Sequence, residues 1–194
     1  MSRSQIIFFL LLGTLLTVPL CTAAQKEIDW NAIPKDTTEI SLRRYRLKSV
    51  PEELCHYKNL VSLNLSKNKI AELPKCIGEL PLLKLNLSGN EFKQFPKEIQ
   101  ELTQLQHLDL GMNALDSIPK WIASHEELVS LKLYDNNLNR FPKNLATAPK
   151  LREVDLGLMM YNREEMDMIR RQFPQLQITF GVPCNCPSTS LEFY

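Results

Sequence analysis

Glycine and histidine are scarce in this chain of 194 residues, with six and three copies. The glycines are scattered, so none builds a backbone loop that could cradle a phosphate. The histidines stand at 56, 107 and 125, and no Cys/His cluster completes a metal site, so no cofactor or metal is expected. Charge of one sign is missing too: 23 Lys and Arg face 22 Asp and Glu. Nucleic acid and a general anionic membrane surface both require a basic excess, and the overall balance argues against them.

Long apolar runs are absent apart from one. Ile6 to Val18 is almost unbroken, follows Arg3 and precedes the small residues Cys21-Thr22-Ala23-Ala24. About thirteen residues are too few to span a bilayer as a helix, and the pattern is that of a secretory signal peptide over 1–24, cleaved after Ala24 or Ala23. An alternative reading places a lipid on Cys21 through Val18-Pro19-Leu20-Cys21, although Leu20 stands where a small residue is usual. Removing 1–24 takes away Arg3 and no acid, leaving 22 charges of each sign. The expected product is secreted or held at the cell envelope, without a transmembrane segment.

What the chain does have is repetition. Leu60-x-x-Leu63-x-Leu65-x-x-Asn68-x-Ile70-x-x-Leu73-Pro74-x-x-Ile77 restarts at Leu82, Leu105 and Leu128, at steps of 22, 23 and 23 residues. Asn68, Asn90, Asn113 and Asn136 fall in register, as do Leu73-Pro74, Phe95-Pro96, Ile118-Pro119 and Phe141-Pro142. The x-Leu-x-Leu-x core alternates with period 2, which suits a short strand with leucines inward. One such unit cannot bury its own leucines, so units must stack.

This period and spacing resemble the leucine-rich repeat family. The resemblance implies an α/β solenoid: a curved right-handed superhelix with a parallel sheet of about seven short strands on its concave face and few helices. It also implies that Asn68, Asn90, Asn113 and Asn136 form a ladder satisfying backbone groups where the chain leaves the sheet. The Leu/Ile-Pro-x-x-Ile form and the lack of a four-cysteine amino-terminal cap are most similar to secreted bacterial members. The expected organisation is an amino-terminal cap over 25–36 and a repeat domain over 37–180. Its units start near 37, 60, 82, 105, 128, 151 and 173, and an irregular tail covers 181–194.

The terminal units are atypical. In the first, Thr37 replaces a leucine and Tyr45 the asparagine; in the sixth, Met159 replaces the asparagine. Asn162 is placed to cap a helix with Met166, Ile169 and Phe173 on one face, Glu164 and Glu165 in the first turn, Arg170 and Arg171 in the last, and Pro174 ending it. Phe173-x-x-Leu176-x-Ile178 then predicts a seventh, edge strand. Cys55 and Cys76 occupy near-equivalent convex positions and can bridge in a secreted protein. Cys184-x-Cys186 is too close for an easy bridge. Asn64-Leu65-Ser66 and Asn86-Leu87-Ser88 are glycosylation sequons that arise from the repeat consensus itself.

Outward positions should form columns across the sheet. The column between the inner leucines reads Ser41, Asn64, Asn86, Asp109, Lys132, Asp155, Gln177, and the one before them Glu39, Ser62, Lys84, His107, Ser130, Glu153. The amino-terminal end is basic and the carboxy-terminal half acidic around exposed apolar groups. Ser130, His107 and Asp109 could cluster, but nothing supplies an oxyanion hole or excludes water, so no enzyme is expected. The reading is a secreted, non-catalytic recognition module binding another protein, or a surface glycan, on its concave face. Its contact residues are Arg44, Lys67, Asp109, Met112, Lys132, Tyr134, Asp135 and Asp155. The alternative is a lipid-anchored structural or adhesive protein of the cell envelope.

Overall fold

The computed structural model describes residues 27–188 and 190–194. The signal peptide, Cys21 and the start of the amino-terminal cap lie outside the described residues. Seven short parallel strands stack in chain order, interrupted once: β1 (Glu39–Ser41), β2 (Ser62–Asn64), β3 (Lys84–Asn86), β4 (His107–Asp109), β5 (Ser130–Lys132), β7 (Glu153–Leu156) and β8 (Gln177–Phe180). Ile40, Leu63, Leu85, Leu108, Leu131, Val154 and Ile178 pair along one row. Nearly all of this row and the leucines two residues on are buried, which makes one continuous core behind the sheet. Each fully buried leucine contributes about 1.5–3 kcal/mol.

Proline sets the return path. Pro51, Pro74, Pro96, Pro119 and Pro142 hold extended backbone, and each is followed by five residues of 3-10 helix, such as Lys75–Glu79 and Lys97–Glu101. A fixed φ and a missing N–H suit that start, and a single tight turn keeps the repeats thin. Ile77, Ile99, Ile122 and Leu145 close the core from the convex side. There Cys55 and Cys76 are joined, with Cα atoms 5.6 Å apart. His125 is also buried, its Nε2 2.9 Å from the Ile99 carbonyl.

The asparagines sit where the sheet ends. Asn68 Oδ1 accepts from the Leu47 N–H at 3.1 Å while Nδ2 donates to the carbonyls of Leu42 and Leu65. Asn90, Asn113 and Asn136 repeat the pattern, tying each repeat to the one before it. Immediately before each asparagine, the chain turns through a left-handed residue: Lys67, Gly89, Met112 and Asp135 have φ of 57°, 66°, 54° and 54°. Arg44 and Leu158 turn the same way in the atypical units. That conformation costs a non-glycine residue about 1–2 kcal/mol. Amide groups fixed by the ladder offset the cost.

Two sequence expectations change at the carboxy-terminal end. The helix α1 (Arg163–Gln172) forms as read, with a capping box between Asn162 and Glu165. The strand after it is displaced by two residues. Val154 pairs with Ile178 and Asp155 with Thr179, so Gln177 belongs to the outer column of Glu153. An α-helix rises about 1.5 Å per residue against about 2.0 Å in a 3-10 turn, so the return path through α1 consumes more chain. A shift of two preserves which side chains face the core.

The second change is the tail. Residues 181–188 are irregular, but the chain's end is not. Strand β9 (Glu192–Phe193) pairs in parallel with β6 (Arg140–Phe141) on the flank of the fifth repeat. Phe193 stacks on Phe141, with centroids 5.9 Å apart, and packs against Phe173. The Tyr194 hydroxyl donates to the Ile118 carbonyl, and Lys120 and Arg140 lie over its ring. Cys184 and Cys186 are also paired, with Cα atoms 5.2 Å apart and both sulfurs 3.2 Å from the Met160 carbonyl.

Candidate partner-binding face

The concave face of the sheet is a shallow open trough crossing β2 to β7, floored by the backbone of Leu63, Leu85 and Leu108 and walled by the outward side chains. Neighbouring strands lie about 4.8 Å apart, so side chains in one column are held at fixed spacing on a rigid base. In the central column, Asp109 pairs with Lys132 and Lys132 with Asp155, an acid–base–acid row across three strands.

Most of that column has a second task that the sequence did not reveal. The side-chain oxygens of Asn64, Asn86, Asp109 and Asp155 accept from the N–H groups two residues on, at Ser66, Ser88, Gly111 and Gly157. Short side chains that can bond their own backbone therefore recur here because each begins the turn out of the sheet. Both sequon asparagines are held in this way, and Ser66 and Ser88 are buried. Lys132 cannot accept and is exposed. From β2 to β7 it is the cation in a column whose other members are turn-forming Asn and Asp.

Asp109 is the most constrained of the group. Burial raises its carboxyl above the ordinary 3.8, working against the Gly111 N–H and Lys132, with Asp155 raising it further. Its second oxygen accepts from Asn86 Nδ2 at 3.3 Å. His107 and Ser130 do pair across β4 and β5, but the oxygens of Asp109 are directed to Gly111 and Asn86.

Tyr134 leans across the neighbouring repeat. A methyl group on Gly111 would fall within 2.3 to 2.6 Å of the Tyr134 ring, so the absence of a side chain at 111 is what admits the ring. The Tyr134 hydroxyl is raised above its usual value, chiefly by burial. Beside it, Met112 is 43% exposed. The eight residues singled out from sequence thus divide between two places. Asp109, Lys132 and Asp155 lie on strands in the trough. Arg44, Lys67, Met112 and Asp135 are the left-handed residues of the rim, and Tyr134 bridges trough and rim. The rim also carries Leu158, which its repeat position placed outward, and Met160, which periodicity alone does not separate from the core; they are exposed by 70% and 72%.

Residues 59–80 match the Leucine Rich Repeat family model. An LRR protein of Leptospira interrogans superposes with a TM-score of 0.57 at 30% identity, over 70% of this chain and 41% of that one. The LRR ectodomain of the plant membrane receptor kinase GASSHO1/SCHENGEN3 from Arabidopsis thaliana, in complex with CASPARIAN STRIP INTEGRITY FACTOR 2, superposes with a TM-score of 0.55 at 25% identity. That match covers 76% of this chain and 19% of the ectodomain. The human leucine-rich repeat and calponin homology domain-containing protein 1 is 35% identical over 108 residues, which is 54% of this chain and 15% of that protein. The chain therefore spans less than half the length of each. The fold is a leucine-rich repeat solenoid.

Proposed function

We propose that this leucine-rich repeat solenoid is a secreted, non-catalytic recognition module that binds another protein along its concave face. The observation that carries the reading is the row Asp109–Lys132–Asp155 beside Tyr134 and Met112. A rigid open sheet presents alternating charge next to an aromatic ring and a flexible thioether, the combination that anchors protein interfaces. The Arabidopsis ectodomain of the same fold is in complex with a partner, which supports the reading. Export rests on the signal peptide over 1–24, with a mature terminus at Gln25. Among the described residues, no helix is long and apolar enough to cross a membrane.

The test is capture of extracellular and surface proteins on immobilised residues 25–194, beside a variant carrying Lys132→Glu and Tyr134→Ala. The expected outcome is a partner retained by the parent and lost by the folded variant. A partner held equally by both would remove the concave face from the binding site.

A further inference from the structure

We infer that the flank of the first two repeats is a binding site for a linear anionic polysaccharide, one bearing sulfate or carboxylate groups. As the chain leaves β1 it presents Arg43, Arg44, Arg46 and Lys48; as it leaves β2 it presents Lys67 and Lys69. All six are exposed, and no acidic residue occurs in 40–51 or 63–71. Among the described residues, Arg43, Arg44, Lys48, Lys67 and Lys69 take part in no ion pair. A chain of balanced overall charge therefore carries a local field of one sign, because stacking sets Arg44 beside Lys67 through the Arg44 N–H to Ser66 carbonyl bond.

The geometry favours a repeating anion. The cations alternate along the chain at 44, 46 and 48 and again at 67 and 69, on backbone that turns out of the sheet after β1 and β2. The two rows are about one strand spacing from each other. Backbone bonds from the Arg44 N–H to the Ser66 carbonyl and from the Lys69 N–H to the Leu47 carbonyl hold the two rows side by side.

The patch lacks what other anionic partners use. Its exposed residues include no large apolar side chain; Met112, Leu158, Met160, Met168 and Val182 all lie later in the chain. A protein interface would call for such an anchor, a membrane surface for apolar insertion, and single-stranded nucleic acid for an exposed stacking ring. Tyr45, the aromatic within the patch, is half-buried against the core. What remains is a cluster of exposed cations in two adjacent rows, which fits a polyanionic sugar chain.

The site shares Arg44 and Lys67 with the rim of the proposed concave face, so Lys48 and Lys69, which lie outside that face, make the test. The full chain is applied to immobilised heparin, for sulfate, and to immobilised polygalacturonate, for carboxylate. Elution salt is compared for the parent, Lys48→Glu/Lys69→Glu, and the charge-matched convex-face variant Lys75→Glu/Lys97→Glu. The expected result is retention of the parent and the convex variant on at least one column at about 0.15 M salt, where charges more than roughly 8 Å apart are screened. The patch variant should pass through while keeping the parent's melting temperature. Lys48→Gln/Lys69→Gln should lie between them. Equal loss in both Glu variants would reduce the effect to net charge and overturn the site. So would failure of the parent to bind either column.

Discussion

Asn113 shows how much one side chain holds in this architecture. Its amide donates to the carbonyls of Leu87 and Leu110, and its oxygen accepts from the Phe92 N–H, so it links two repeats at three backbone groups. Asn113→Ala leaves those part-buried groups unpaired at the turn out of the sheet. The expected cost is about 1–3 kcal/mol, read as a lowered thermal midpoint; an unchanged midpoint would mean the ladder carries little of the stability. Asp109 gives a prediction of the opposite sign. Burial is the main reason its carboxyl lies above 3.8. The folded state holds that proton more tightly than the unfolded chain, so the contribution is favourable below 3.8 and is lost as pH rises through the folded value. Asp109→Asn keeps an acceptor for the Gly111 N–H, as Asn64 and Asn86 do for theirs. The variant should melt higher than the parent at pH 7, and the gap should close below pH 3.8.

Elements this small are stable only in company. Strands of three residues joined by single 3-10 turns bury little alone, and each takes its stability from neighbours on both sides. The carboxy-terminal end, with one neighbour, is built differently: α1 covers the last core layer with Met166 and Ile169, Phe173 follows at its C-cap, and β9 lays Phe193 against Phe141. Tyr161, buried below α1, has its hydroxyl raised well above the usual range by burial and by Glu165. Truncation before Tyr161 should therefore uncover the layer of Leu151, Val154 and Leu156 and produce aggregates on size exclusion. A soluble fragment that unfolds cooperatively would show that the closing elements are dispensable.

At the scale of the whole molecule, a chain of nearly zero net charge is electrically uneven. Its first two repeats present cations on the flank, while Asp109, Asp135, Glu153 and Asp155 gather in the later ones. The two proposed surfaces predict a double separation between the experiments already described. Lys132→Glu with Tyr134→Ala should leave polysaccharide retention intact, and Lys48→Glu with Lys69→Glu should leave the protein partner bound.

The repeat period by itself determined the solenoid, the inward leucines and the asparagine positions, because a fixed spacing of 22 or 23 residues admits one way of burying every leucine at once. It also located α1, since Asn162 and Pro174 bound a segment of helical periodicity. Tertiary structure alone decided the rest. The two-residue displacement of β8 follows from the path length of α1 and is invisible in a strand motif that Leu176 and Ile178 appear to satisfy. The docking of Leu191–Tyr194 beside β6 depends on an aromatic cluster assembled from residues 141, 173 and 193. The overlap of Tyr134 with Gly111 and the joining of two cationic rows are contacts between repeats. A local pattern repeats within a unit, but a surface is made by what stacking places next to it.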